Sequence, residues 1–131
     1  MLFRDRVRVL VVDDEPSICK ALTIALGRAG YDADYALSGE AALGVVRSQS
    51  IDVLLIDLRI PDTRGDVVYE VAAAMQPHLR SQTLFMTGDI TEKGNNLIAA
   101  CRCNFLRTPF DLRDMLDAVA ALSPQVHDAT A

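Results

Sequence analysis

One apolar segment near the middle of the chain constrains the fold more than any other. Residues 52–58 read Asp-Val-Leu-Leu-Ile-Asp-Leu, and five of these seven residues are aliphatic. A short, continuous apolar run with β-branched residues is typical of a strand that is buried on both faces, as in a parallel sheet. Asp57 lies where this strand would emerge, and ligands of open parallel sheets bind outside the carboxyl ends of the strands. Asp57 is therefore a candidate functional residue, although an aspartate at this place can also simply cap the following turn.

Strand-like and helix-like segments alternate five times along the chain. The predicted strands cover residues 7–12, 31–37, 52–58, 83–87 and 104–107. Predicted helices follow them at residues 16–30, 39–48, 66–75, 90–101 and 112–122, the fourth of which is weakened by Gly94, Asn95 and Asn96. Connections this short leave room only for parallel strands joined by right-handed crossovers. The sequence thus predicts an α/β fold, a five-stranded parallel, doubly wound (βα)5 flavodoxin-like sandwich with strand order 2-1-3-4-5.

Length and composition narrow the classes of function. The 131 residues suit one domain, which we expect at residues 1–123, followed by a flexible tail at 124–131. Thirteen basic and eighteen acidic residues give a formal net charge of −5, which argues against direct binding of nucleic acid. No apolar run reaches the roughly 18 residues of a membrane span, so no membrane partner is expected. Three cysteines without a Cys-x-x-Cys pair favour a reduced, cytoplasmic protein.

The predicted strand order brings three carboxylates to one place. The switch point of this topology lies between the first and third strands, which are followed by Asp13 and Asp14 and by Asp57. Like charges at such short range are tolerated mainly where a cation neutralises them or where one acid stays protonated. Hard oxygen ligands without a neighbouring histidine or thiolate favour Mg²⁺ over zinc or copper. We interpret the site as a metal-assisted phosphoryl acceptor in which one carboxylate is the nucleophile.

Several short motifs at these strand ends occur together. They are Val11-Val12-Asp13-Asp14-Glu15-Pro16, Asp57-Leu58-Arg59-Ile60-Pro61 followed by Gly65, Met86-Thr87-Gly88, Phe105-Leu106 and Pro109-Phe110. Each is unspecific by itself, since acids commonly cap helices and turns. In combination the chain resembles the receiver domains of two-component response regulators, from about residue 7 to about residue 122. It is similar in particular to the receivers at the C-terminus of hybrid histidine kinases.

The resemblance implies a role for each of these residues. It implies that Asp57 is phosphorylated by a histidine kinase or a histidine phosphotransfer protein, and that the domain signals rather than acting as an enzyme. Thr87 would turn its hydroxyl toward the phosphate, and Phe105 would be the aromatic switch residue. A downstream protein or domain would bind the face made by the fourth helix, fifth strand and fifth helix, and a homodimer is left open. The implied Mg²⁺ ligands are Asp13, Asp14, Asp57 and the backbone carbonyl of Arg59.

Thr108 departs from the family pattern. The family carries a lysine immediately before the proline of this turn, where its ammonium pairs with the acceptor and the phosphate, and Arg107 lies one residue too early. Neighbouring residues of a strand point to opposite faces, so Arg107 should face away from the site unless a bulge or a turn of the chain re-aims it. A pseudo-receiver, which is a phosphorylation-independent protein-interaction module, is therefore the alternative function. A haloacid dehalogenase-type phosphatase would need Asp-x-Asp after a strand, and Asp57-Leu58-Arg59 does not supply it.

Overall fold

The strands form one parallel sheet in the order expected from the sequence. The structure is a computed structural model and describes residues 6–88 and 104–124. The sheet order is β2-β1-β3-β4-β5, and every neighbouring pair is parallel. The strands are β1 Arg8–Val12, β2 Asp32–Ala36, β3 Val53–Asp57, β4 Thr83–Thr87 and β5 Asn104–Arg107. This order confirms the predicted doubly wound, flavodoxin-like topology.

Helices connect the strands and begin at residues suited to a helix N-terminus. They are α1 Pro16–Arg28, α2 Gly39–Ser48, α3 Gly65–Met75, a short 3-10 helix Pro77–Arg80 and the C-terminal helix Leu112–Leu122. The Ser38 hydroxyl accepts a 3.1 Å hydrogen bond from the Ala41 N–H, and the Asp111 carboxylate accepts one of 2.8 Å from the Asp114 N–H. Both side chains satisfy N–H groups that a first helical turn leaves without partners.

Some predicted segments lie outside the described residues. These are the helix expected at residues 90–101, with its weak segment Gly94-Asn95-Asn96, and the tail from residue 125 onward. The C-terminal helix ends at Leu122, and the expected domain boundary at residue 123 stays a prediction. Across residues 6–88 and 104–124, no helix combines the length and the apolar character needed to span a membrane.

Side chains of the central strands alternate between two apolar layers. Leu54 and Ile56 point toward α2 and α3, whereas Val53 and Leu55 point toward α1 and the C-terminal helix. All four side chains are fully buried. Because both faces of β3 are covered, its last residue, Asp57, reaches solvent only at the carboxyl end of the strand, where it is half-buried. The buried strand is thus what places this carboxylate at the rim.

The spacing of Val67, Val68, Val71 and Ala72 predicts α3, and the structure buries two of these four residues. Val67 and Val71 are exposed, while Val68, Tyr69 and Ala72 are buried. The Tyr69 ring packs edge-on against Phe85 with ring centroids 5.5 Å apart, and its hydroxyl donates a 2.9 Å hydrogen bond to the Arg80 carbonyl. An aromatic ring buries more area than a valine, so its packing decides which side of the helix faces the sheet.

Candidate functional site

Three carboxylates meet at the carboxyl-terminal rim of the sheet. Asp13 and Asp14 directly follow β1, and Asp57 is the last residue of the adjacent strand β3. One carboxylate oxygen from each residue lies within 4.8 Å of one from each of the other two. Asp13 is buried and Asp14 is exposed, so the cluster is open to solvent on one side. Three oxygen ligands at this spacing suit a hard divalent cation that keeps several waters, as Mg²⁺ does.

Asp13 has the most perturbed environment of the three acids. Its pKa is raised from the ordinary 3.8 to about 6, chiefly because burial removes water from the carboxylate. A 2.9 Å hydrogen bond from the Glu15 N–H to Oδ1 opposes this shift, and the charges of Asp57 and Asp14 add to it. Ionised Asp13 is therefore a costly group in the metal-free protein, and a cation at the cluster would offset that cost.

The Asp57 carboxylate is oriented by its own loop. The Arg59 N–H donates a 2.9 Å hydrogen bond to Oδ1, which leaves Oδ2 directed away from this contact. The following loop returns close to the strand end, where the Gly65 N–H donates to the Leu58 carbonyl at 3.1 Å. A Cβ on Gly65 would lie only 2.5 Å from the Asp57 carbonyl oxygen and 2.8 Å from Leu58 Cα. Glycine at position 65 thus permits the start of α3 to lie against the end of β3, which holds the acceptor loop, residues 58–64, in place.

Thr87 and Thr108 lie on the same rim, at the ends of β4 and β5. Thr87 is buried, and its carbonyl accepts a 2.9 Å hydrogen bond from the Thr108 N–H. Arg107 pairs with Thr87 in the strand register and is exposed. Phe105 pairs with the buried Phe85, yet 43% of Phe105 is exposed. The structure therefore places both threonines at the same edge of the sheet as the carboxylates and leaves the predicted aromatic switch residue at the surface.

The Arg59 side chain reaches the end of β5. A Cβ built on Gly88 would lie 2.8 Å from Thr108 Oγ1 and 3.2 Å from Arg59 Nη2. Both groups therefore approach the same small space above Gly88, the residue that follows β4. The guanidinium lies at the turn in which the resemblance leads one to expect a lysine ammonium.

The comparison with protein families shows which family this fold belongs to. A family model described as the response regulator receiver domain matches residues 9–120, which include all the rim residues above and the five strands except for Arg8, the first residue of β1. The chain belongs to this family. Receiver domains of two-component systems accept a phosphoryl group and interact with histidine kinases, so the coarse function predicted from the sequence is confirmed.

The relatives of this receiver domain include regulators and a sensor kinase. It is 29% identical to the DNA-binding dual master transcriptional regulator RpaA of Synechocystis sp., over 88% of this chain and 48% of that protein. It is 31% identical to the CAI-1 autoinducer sensor kinase/phosphatase CqsS of Vibrio cholerae, over 90% of this chain and 18% of that protein. The CheY-like receiver domain protein of Methanospirillum hungatei superposes with a TM-score of 0.82 at 21% identity, covering 89% of this chain and 93% of that one. The chain thus spans half or less of the length of these curated relatives.

Asp62 is a rim residue of the receiver domain whose contact the sequence did not reveal. Its carboxylate accepts hydrogen bonds from the N–H groups of Gly39 and Glu40, at 2.9 and 3.1 Å. These two bonds lower the pKa of Asp62 and tie the acceptor loop to the first turn of α2. The sequence signal for this contact is weak, because the two partners lie 23 and 22 residues apart from Asp62.

Asp62→Ala is expected to lower the stability of the receiver domain, because the substitution removes a side-chain cap from the first turn of α2. The Gly39 and Glu40 N–H groups would then have to bind water, and the loop would lose its tie to α2. Chemical denaturation should show a lower midpoint with an unchanged slope. Ser38→Ala is the matched control, because it removes a cap from the same helix without affecting the contact between the helix and the loop. An Asp62→Ala protein as stable as the wild type would show that this contact contributes nothing.

Proposed function

We propose that this receiver domain accepts a phosphoryl group on Asp57 from a phosphohistidine of a histidine kinase or a histidine phosphotransfer protein. The observation that carries the proposal is the group of three carboxylates at the rim, with one oxygen from each within 4.8 Å of the others. A structural helix cap needs one acid, whereas three acids from two neighbouring strands are useful for binding a cation beside a nucleophile.

Asp57 is the member of this group best suited to be the nucleophile. Its hydrogen bond from the Arg59 N–H fixes Oδ1, and Oδ2 can then attack the phosphorus atom in line with the leaving imidazole. One P–O bond to Asp57 forms as the P–N bond to the histidine breaks. The imidazole nitrogen keeps the electron pair of that bond and takes up a proton from solvent. Asp13 is held by the Glu15 N–H and is buried, which suits it to a fixed ligand role instead.

The residues present fit Mg²⁺. Asp13, Asp14, Asp57 and the backbone carbonyl of Arg59 would hold the ion, which supplies charge neutralisation for the transferring phosphoryl oxygens. The buried Asp13 carboxylate with its raised pKa is the specific feature that favours a cation at this place. The Arg59 carbonyl adds a hard oxygen ligand without adding negative charge.

Thr87 and Phe105 would convert phosphorylation into a change of surface. The Thr87 hydroxyl would donate to a phosphoryl oxygen, and Phe105 on the adjacent strand would change position with it. A phosphoryl group adds about −1.5 to −2 charges and three acceptor oxygens, which is enough to reorder a loop. The downstream protein or domain would bind the surface that includes β5 and the C-terminal helix, where Phe105 and Leu112 are exposed.

The pseudo-receiver remains the alternative function because Thr108 stands in place of the lysine. In that case the carboxylates would bind Mg²⁺ but the domain would recognise its partner without phosphorylation. The two functions differ in one measurable property, namely whether a phosphate mimic binds at Asp57 in the presence of Mg²⁺.

The test is to add beryllofluoride with Mg²⁺ and record amide NMR shifts, and to add acetyl phosphate with Mg²⁺ and record the intact mass. We expect shifts at the rim and the mass gain of one phosphoryl group. Asp57→Asn should abolish both responses, because an amide is not a nucleophile and cannot form an acyl phosphate. Asp117→Asn, a change at an exposed acid of the C-terminal helix, is the control and should respond as the wild type does.

Two outcomes would count against the proposal. A wild-type protein that binds Mg²⁺ but shows neither response would support the pseudo-receiver. A response that survives in Asp57→Asn would place the acceptor on a different residue.

A further inference from the structure

The proposed site has a shortage of positive charge. A phosphorylated Asp57 carries two negative charges, and Asp13 and Asp14 carry more, whereas Thr108 at the end of β5 is neutral. Mg²⁺ neutralises part of this charge, but a side-chain donor is still needed for the phosphoryl oxygens that the ion does not contact.

Arg59 is the cation that the geometry provides. Its Nη2 lies 3.2 Å from the point where a Cβ on Gly88 would stand, and Thr108 Oγ1 lies 2.8 Å from that same point. Apart from atoms of the residues adjacent to Gly88 in the chain, these two are the nearest atoms of the described residues to this point. Arg107, the exposed residue beside Thr108, is not among the atoms found there.

Backbone hydrogen bonds hold the carboxyl ends of β3, β4 and β5 next to one another. The Leu58 N–H donates to the Met86 carbonyl at 3.2 Å, and the Thr108 N–H donates to the Thr87 carbonyl at 2.9 Å. The residues after β3, β4 and β5 are therefore joined side by side. Arg59 follows Asp57 by two residues at the end of β3, and its Nη2 reaches the space above Gly88, where Thr108 Oγ1 also lies.

The guanidinium of Arg59 is available for a ligand. Arg8, Arg64 and Arg80 each pair with an acidic side chain, at 3.5, 2.6 and 3.8 Å respectively. Arg59 forms no ion pair with any residue in the ranges 6–88 and 104–124, and it is exposed. The glycine at position 88 leaves the space that its side-chain end enters, because a larger residue there would contact both Nη2 and Thr108 Oγ1.

From these contacts we infer that Arg59 is the phosphate-binding cation of this receiver domain, in place of the lysine that is absent at position 108. Its planar guanidinium donates two parallel N–H groups to phosphoryl oxygens of phosphorylated Asp57, a geometry that matches a phosphate better than a single ammonium does. The residue thus acts twice, with its backbone carbonyl toward the cation and its side chain toward the anion. This inference rests on the proposed phosphorylation of Asp57.

The test measures beryllofluoride affinity in saturating Mg²⁺ for the wild type, Arg59→Gln and Arg107→Gln. Losing a charge-assisted hydrogen bond to a phosphate mimic should weaken binding by roughly tenfold or more in Arg59→Gln. Arg107→Gln removes an exposed cation from β5 and should change the affinity by less than about twofold, because solvent and salt screen exposed charges. Equal losses of beryllofluoride affinity in the two variants would show that only the net charge of the domain matters, and would overturn the inference.

Mg²⁺ affinity without the mimic separates the two functions of residue 59. Arg59→Gln keeps the backbone carbonyl and removes a positive charge, so Mg²⁺ should bind as tightly as in the wild type or more tightly. A parallel loss of Mg²⁺ and beryllofluoride binding would show that the loop itself was damaged, and the side-chain role would be wrong.

A lysine at position 108 provides a rescue. Thr108→Lys in the Arg59→Gln background should restore beryllofluoride affinity, because a cation then returns to the space above Gly88 from the other side. Gly88→Ala should weaken binding more in the wild type than in Arg59→Gln, since its methyl group displaces Nη2 only when the arginine is present, whereas its contact with Thr108 Oγ1 is common to both backgrounds. An additive effect of Gly88→Ala in both backgrounds would contradict the assignment.

The failure of the inference can be told from the failure of the proposed function. If the wild-type domain shows no Asp57-dependent response to beryllofluoride, both the proposed function and this inference are wrong. A normal, Asp57-dependent response that is unchanged in Arg59→Gln would remove the inference alone.

Discussion

Gly65→Ala is expected to destabilise the domain by about 2 to 3 kcal/mol and to weaken Mg²⁺ binding, because overpacking against backbone is costly. The added methyl group would lie 2.5 Å from the Asp57 carbonyl oxygen and 2.8 Å from Leu58 Cα. Backbone atoms at the end of a buried strand cannot move aside as a flexible side chain can. The first turn of α3 would have to withdraw from β3, and Asp57 would move with the strand end. Thermal unfolding should show a melting temperature lower by roughly 10 °C.

Gly44→Ala is the matched control for this substitution. Gly44 lies in α2, is exposed, and has no atom within 4 Å of the position where its Cβ would be. Alanine there should stabilise the domain by about 0.5 to 1 kcal/mol through its higher helix propensity. If Gly65→Ala were stabilising to the same degree, the close approach between α3 and the acceptor loop would not constrain the fold.

Asp13→Asn is expected to stabilise the metal-free domain and to remove its stabilisation by Mg²⁺. The buried Asp13 carboxyl has its pKa raised from 3.8 to about 6, so at pH 8 its ionisation costs about 1 to 3 kcal/mol of folding free energy. Asparagine keeps an oxygen that can accept from the Glu15 N–H but carries no charge. Chemical denaturation at pH 8 with a chelator, and again with Mg²⁺, should show the two proteins in opposite order of stability.

The same shift predicts a pH dependence for the metal-free wild type. The folded-state pKa of Asp13 lies above its unfolded value, so between about pH 4 and pH 6 the folded protein binds more protons than the unfolded chain. This contribution to stability is complete below pH 4, falls as the pH rises toward 6, and is absent above it. The difference in stability between Asp13→Asn and the wild type should therefore grow over this interval and then stay constant.

Asp117→Asn provides the control for both measurements. Asp117 is an exposed residue of the C-terminal helix, and its replacement should alter neither the response to Mg²⁺ nor the slope of stability with pH. A metal-free Asp13→Asn protein that is less stable than the wild type at pH 8 would show that the ionised carboxylate makes a favourable contact. The cation-binding interpretation of the cluster would then lose its main support.

The sequence determined the architecture because the signals for it are local and repeated. The apolar run at residues 53–56 could be buried only in a sheet covered on both faces, and β4 and β5 have the residue bounds expected from their pattern. Once the strands alternate with helices, right-handed crossovers leave few topologies, and the order follows. Asp13, Asp14 and Asp57 then meet because parallel strands end on one rim.

Tertiary structure decided which side of an element is buried and which long side chains meet. Of the four residues whose spacing predicts α3, Val68 and Ala72 are buried, whereas Val67 and Val71 are exposed. The buried face also includes Tyr69, which packs against Phe85. This outcome depends on shape complementarity between elements, which a periodic pattern does not contain.

The position of the rim cation is also a product of tertiary structure. From the sequence, Arg107 is expected to face away from the site, and Arg59 is expected to contribute only its backbone carbonyl. The structure instead brings Arg59 Nη2 and Thr108 Oγ1 to the same point above Gly88. Residues 59 and 108 are far apart along the chain and meet only because β3, β4 and β5 lie side by side. The sequence by itself therefore determined the sheet and its three carboxylates, whereas the contacts of a long, flexible side chain were decided by which strand ends became neighbours.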